Sequence, residues 1–153
     1  ILRPGGVTPD MISAVAGSVE VDGAVMHPLT EGERPRSPGM KYRHYAPRGS
    51  VNVVRGSRAA VAREICRLYD ASLRPALILA LDGNLELYGD RRLISLGSNV
   101  HEMAQRLFDA LRKADEMGAE AVFSEAVDAE GLGLAVMNRL DRAAAFHVID
   151  AGE

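Results

Sequence analysis

Pro75-Ala76-Leu77-Ile78-Leu79-Ala80-Leu81-Asp82-Gly83 is an unbroken apolar run opened by a proline and closed by an Asp-Gly pair. A strand with one wet face alternates apolar and polar side chains, whereas a continuous run of this length suits a strand covered on both faces. Such strands belong to parallel sheets with crossover helices on either side. The neighbouring sequence fits that frame. Upstream, Val51-Asn52-Val53-Val54 reads as a short strand, followed by Gly56 and by Ser57 as a helix cap. Val61, Ile65, Leu68 and Tyr69 then recur at helical spacing. Downstream, Leu93-Ile94-Ser95-Leu96 is a strand ended by Gly97, and Ser98 or Asn99 caps a helix. That helix carries the stripe Val100, Met103, Leu107, Phe108, Leu111 and Ala114, closed by Gly118. Ala121-Val122-Phe123 is a further strand, 134–145 a helix, and His147-Val148-Ile149 a last strand. The expected fold is an α/β three-layer sandwich with a mostly parallel sheet, burying Leu77, Leu79, Leu107 and Val122.

The first fifty residues differ in kind. Six of the seven prolines lie there: Pro4, Pro9, Pro28, Pro35, Pro38 and Pro47. Prolines at that density remove backbone donors and break regular elements. One short helix fits, with Thr8 as cap, Pro9 in its first turn and Gly17 as stop. Met11, Ile12 and Val15 would share a face that must pack on something. Val19 to Val25 reads as a brief extended stretch, and the segment from Leu29 to Pro47 as an irregular arm. The net charge of −3 hides an asymmetry. Arg34, Arg36, Lys41, Arg43, Arg48, Arg55, Arg58 and Arg63 follow one another without an acid, which leaves −11 for the rest. A basic segment on an acidic body suits either a polyanion contact or a solvated linker held open by its charge.

The 153 residues suffice for about one domain. At 47% hydrophobic and 25% charged they are globular in composition, and no apolar run approaches a membrane span. The chain lacks a starting Met and reads as a piece of something longer. One cysteine, Cys66, excludes an internal disulfide framework, fits a reducing cytoplasm, and reads as a packed helix residue. His27, His44, His101 and His147 share no metal-ligand spacing. Ser124-Glu125 reads as a solvated strand end. Gly131-Leu132-Gly133-Leu134 stands between a strand and a helix. Its favoured reading is a tight turn. An anion site at Gly131 and Gly133 is the minor one, because Val136 breaks the full dinucleotide fingerprint.

The densest chemistry is Ser37-Pro38-Gly39-Met40-Lys41-Tyr42-Arg43-His44-Tyr45-Ala46-Pro47, which holds two of the four tyrosines. Rings interleaved with cations can stack on a base and neutralise phosphates, as a nucleic-acid arm or a lid over a nucleotide does. This motif resembles the interdomain motif of the two-domain threonylcarbamoyl-AMP synthases. In that family a YrdC-type catalytic domain precedes a linker and a smaller Rossmann-like domain. Ile1-Leu2-Arg3-Pro4-Gly5 with Val7-Thr8-Pro9 resembles the end of the catalytic domain. Gly131-Leu132-Gly133-Leu134-Ala135, Asn138-Arg139-Leu140 and Ala143-Ala144 resemble a recurrent pattern of the small domain.

The resemblance implies that residues 1–17 end the catalytic domain, 18–50 form a linker arm and 51–153 a Rossmann-like domain. It implies synthesis of threonylcarbamoyl-AMP from threonine, bicarbonate and ATP, with release of pyrophosphate, for threonylcarbamoyladenosine modification of tRNA. ATP would come as a substrate with Mg2+, and no metal would be held by this chain. Arg3 and Tyr45 would face ATP, while Lys41, Tyr42, Arg43 and His44 would belong to the lid. The partner would be the catalytic domain in the same chain, in the cytoplasm, with no membrane and no need for direct tRNA binding. The chain alone would be inactive. A stand-alone nucleotide- or RNA-binding module with a basic arm is the alternative.

Overall fold

The computed structural model describes residues 1–29, 32, 34–37 and 47–153. The elements in chain order are α1 (Pro9–Ala16), β1 (Ser50–Arg55), α2 (Arg58–Ala71), β2 (Ala76–Ala80), β3 (Leu93–Ser95), α3 (Val100–Glu116), β4 (Ala121–Glu125), α4 (Leu132–Ala143) and β5 (Val148–Asp150). Segments of 3-10 helix lie at Gly23–Val25 and Asp82–Tyr88. The five strands are all parallel, in the order β3-β2-β4-β1-β5. Val122 pairs with Val51 on one side and Leu77 on the other, so β4 is the middle strand.

Every residue of β2 is buried, as a continuous apolar strand requires. Alternate side chains go to opposite faces. Leu77 and Leu79 join Val51, Val53 and Val122 against Met103, Leu107 and Leu111 of α3 and Val136, Met137 and Leu140 of α4. Ile78 joins Val54 and Phe123 against Val61 and Ile65 of α2, with Tyr88 beside them. These two cores make the three layers. The expected burial of Leu77, Leu79, Leu107 and Val122 holds, since none is more than 1% exposed. Caps hold too: Ser57 accepts from the Ala60 N–H, and Asn99 from those of His101 and Glu102.

Three local expectations need correction, and one further segment went unforeseen. The extended stretch expected over Val19–Val25 stops at Asp22, whose backbone is extended and whose side chain caps a 3-10 turn at Gly23–Val25 by accepting from the Ala24 N–H. The helix expected at 134–145 spans Leu132–Ala143, because the chain turns into left-handed conformation at Ala145 (φ 49°) and Phe146 (φ 61°). The segment Asp82–Tyr88 coils as 3-10 helix for seven residues, longer than such helices usually run, and was not anticipated. Ser124 and Glu125 are buried rather than solvated, because the middle strand's end is roofed by the segment after β2. Among the described residues no helix is long and apolar enough to cross a membrane.

Candidate functional site

Ligands of open parallel sheets gather at the carboxyl ends of the strands. Here two polar networks occupy that end. The Glu125 carboxylate accepts from the Leu81 N–H (2.9 Å), the Asn84 amide (3.0 Å) and the Tyr88 hydroxyl (2.5 Å). Burial, and then the neighbouring Glu125, push the Tyr88 hydroxyl pKa far up, so Tyr88 stays a donor. Arg58 completes the network through Asn84 Oδ1 (2.6 Å) and the Gly83 carbonyl (2.5 Å). In the second network Asp82 accepts from the hydroxyls of Ser95 and Ser98, which lower its pKa. Both sets are satisfied by their own members. They fix the strand ends rather than present a poised acid or base.

Beside them, Arg55 at the end of β1 reaches Asp141 of α4 at 2.7 Å. Asp141 is 1% exposed, and its Oδ1 has no hydrogen-bond partner among the described residues. Burial raises its pKa against the opposing pull of Arg55 and, more weakly, His27. The same helix grips the chain ahead of the sheet. The Asn138 amide donates to the Val25 carbonyl and Arg142 donates to the Ala24 carbonyl at 2.7 Å. Val25 is fully buried. Farther along, the Arg48 N–H donates to Asp115 at 2.7 Å just before β1.

The glycines before α4 are accounted for by chain path. Gly131 has φ 52°, a left-handed conformation that a side chain disfavours. A Cβ on Gly133 would collide with the Asp128 carbonyl. Asp128 and Glu130 flank the same turn. A cavity of about 550 Å³ opens at the opposite, amino-terminal end of the sheet, lined in part by Arg48, Arg74, Asp115, Glu120 and His147. It lies away from the strand ends where ligands of this architecture bind, and Asp115 within it is already engaged by the Arg48 backbone.

Of the residues singled out from the sequence, Arg3 is exposed and makes no ion pair among the described residues. Lys41, Tyr42, Arg43, His44 and Tyr45 lie outside the described residues. Cys66 is partly buried on α2, its Sγ 3.7 Å from the Leu87 carbonyl. The described residues contain no group of three His, Cys, Asp or Glu side chains able to hold a metal ion. Sequence reasoning missed Tyr88, Asp141 and Arg142. Asn138 was signalled only as part of the Asn138-Arg139-Leu140 pattern.

Residues 7–145 match the family model described as threonylcarbamoyl-AMP synthase, C-terminal domain. The chain is 38% identical over 152 residues to the threonylcarbamoyl-AMP synthase of Pyrococcus abyssi, covering 97% of this chain and 43% of that protein. It is 35% identical over 151 residues to that of Bacillus subtilis, covering 97% and 42%. It therefore spans less than half the length of these curated relatives. The solved structure of P. abyssi Sua5 complexed with L-threonine matches at TM-score 0.84 and 36% identity, over 97% of this chain and 43% of that one. The C-terminal Sua5 domain from Pyrococcus horikoshii matches at TM-score 0.55 and 35% identity, over 69% of this chain and 99% of that one.

Proposed function

Because the chain belongs to the family of threonylcarbamoyl-AMP synthase C-terminal domains, we propose that it supplies the accessory domain and the active-site-covering arm of such a synthase. The full enzyme would join threonine, bicarbonate and ATP into threonylcarbamoyl-AMP, releasing pyrophosphate, for tRNA modification in the cytoplasm. The observation that carries this reading is likeness along the whole chain, arm included: the relatives align over 97% of it. The stand-alone nucleotide- or RNA-binding module is not favoured, because the relatives share this chain as part of a longer protein.

In this reading residues 1–17 close the catalytic domain, and the exposed apolar side chains of α1, Met11 and Val15, pack on it. Exposed Arg3 offers its guanidinium to the ATP phosphates, and Tyr45 reaches the nucleotide from the arm, with Lys41, Tyr42, Arg43 and His44 beside it. Mg2+ would arrive on the ATP phosphates. A carboxylate attacking the α-phosphate needs fixed positive charge and the exclusion of water from a labile product. A basic, aromatic arm serves both. The anion reading of Gly131 and Gly133 is not carried forward, since backbone geometry explains both glycines. Direct tRNA contact is not needed for this chemistry.

Pyrophosphate release with threonine and bicarbonate tests the reading. The full-length protein should show it and residues 1–153 alone should not. No threonine-dependent release from the full-length protein would refute the assignment, and release from the fragment would refute the division of labour.

A further inference from the structure

The cavity of about 550 Å³ at the amino-terminal end of the sheet differs from the polar networks at the other end, because its charges do not close on one another. The strands that start there run β2, β4, β1 and β5 side by side. Arg74 stands two residues before β2, Glu120 one before β4 and Arg48 two before β1. Their backbones are stitched together: the Glu120 N–H donates to the Pro75 carbonyl (2.8 Å) and the Ser50 N–H to the Glu120 carbonyl (2.9 Å). Neighbouring strands lie about 4.8 Å apart, so a cation, an anion and a cation follow along one rim within side-chain reach. Among the described residues, nonetheless, the Arg74 and Arg48 guanidiniums and the Glu120 carboxylate have no hydrogen-bond or ion-pair partner. Asp115 beside them accepts from the Arg48 N–H through Oδ1 (2.7 Å), and its Oδ2 has no such partner either.

Gly49, Gly118, Ala119, Ala143, Ala144 and Ala145 make the hollow, since none carries more than a methyl group. Gly49 brings the chain against Ala119, whose carbonyl oxygen a Cβ would meet at 2.5 Å. Two helices end at this wall, α3 at Glu116 and α4 at Ala143. Helix carboxyl ends carry partial negative charge. The basic residues of those last turns are engaged elsewhere, Lys113 by Asp109 (3.4 Å) and Arg142 by the Ala24 carbonyl (2.7 Å).

We propose that this cavity binds a small zwitterion of the α-amino-acid class. Arg74 and Arg48 take the carboxylate, through planar forks matched to its two oxygens. Glu120, Asp115 Oδ2 and the ends of α3 and α4 take the ammonium. Neither charge alone fits. A simple anion meets two carboxylates and two helix ends, and a simple cation meets two guanidiniums. A ligand with both signs a few ångströms apart satisfies both sets, and the hollow between them takes its side chain. The site is built wholly from residues of this chain and stands apart from the function proposed above. Arg48, Arg74 and Glu120 are exposed, so each contact contributes little and the affinity should be about millimolar.

The test uses the full-length protein and the proteinogenic amino acids offered singly. Hydrogen exchange is read at the stretches that line the cavity, 48–51, 74–76, 117–121 and 143–148. The amino acid that protects most is then compared with its N-acetyl and carboxamide forms, each of which lacks one charge, and with inorganic phosphate. The expected result is slower exchange at these stretches with at least one amino acid, and binding of each blocked form weaker by roughly fivefold or more, the effect of one exposed charged pair. Arg74→Ala and Glu120→Gln should each weaken binding by about as much with Tm unchanged, because neither side chain holds a partner. Arg74→Ala should also discriminate less against the carboxamide, and Glu120→Gln less against the N-acetyl form. That selective loss decides the matter should a variant lower Tm, since unfolding weakens all ligands alike. No protection at these stretches by any amino acid, or protection confined to other residues, overturns the proposal. Equal binding of the blocked forms, or stronger protection by phosphate, makes the cavity something other than a zwitterion site and overturns it as well.

Discussion

Glu125 ends the middle strand under a roof made by its own donors, the Leu81 N–H, the Asn84 amide and the Tyr88 hydroxyl. A hydrogen bond to a charged group contributes about 1.5–3 kcal/mol. Tyr88→Phe should therefore lower the denaturant midpoint by that free energy without changing the m-value, because the ring still fills its place. The two perturbed aspartates act in opposite directions with pH. Asp82, lowered by Ser95 and Ser98, contributes stability above the ordinary aspartate range, and that contribution is lost as pH falls through its folded value. Asp141, raised by burial, contributes stability that is full below the ordinary range and lost as pH rises through its folded value. Asp82→Asn should flatten the acid limb of the stability curve. Asp141→Asn should remove the decline above the ordinary aspartate range. Equilibrium unfolding across pH 2–7, a window set by roughly the aspartate pKa of 3.9, reads both. None of these roles is legible locally. Ser124-Glu125 reads as a wet strand end until the strand order puts β4 in the middle, and strand order is a long-range property.

The elements themselves were largely legible. Continuous apolar character fixed β2 as doubly covered, and a stripe with an Asn99 cap announced α3. The 3-10 segment Asp82–Tyr88 was not, because its stability comes from burying Tyr88 against Glu125 and not from local pattern. The limits of α4 were set by backbone geometry on either side. Ala145→Gly should raise stability by about 1 kcal/mol, since the left-handed conformation there disfavours a Cβ by roughly 1–2 kcal/mol. Gly133→Ala should do the reverse, by about 1–3 kcal/mol or more, because the new Cβ meets the Asp128 carbonyl and the turn must shift. Thermal melts of the two variants check both signs.

At the scale of the molecule, a parallel sheet on an acidic body carries a basic arm, fastened near Val25 and again near Arg48. The arm's residue types were visible in the sequence. Its anchoring was not, since Asn138 and Arg142 meet Val25 and Ala24 across more than a hundred residues of chain. The central claim is that this arm completes a nucleotide site built elsewhere in the full-length enzyme. The most direct measurement is threonine- and bicarbonate-dependent pyrophosphate release by full-length protein carrying Tyr45→Ala, or Lys41→Ala with Arg43→Ala, beside the melting curve of each. The account predicts turnover lowered by about ten- to a hundredfold, the loss of one lid contact to a charged group, with the melting transition of the small domain unchanged. Wild-type turnover in both variants would contradict it and reduce the arm to a tether.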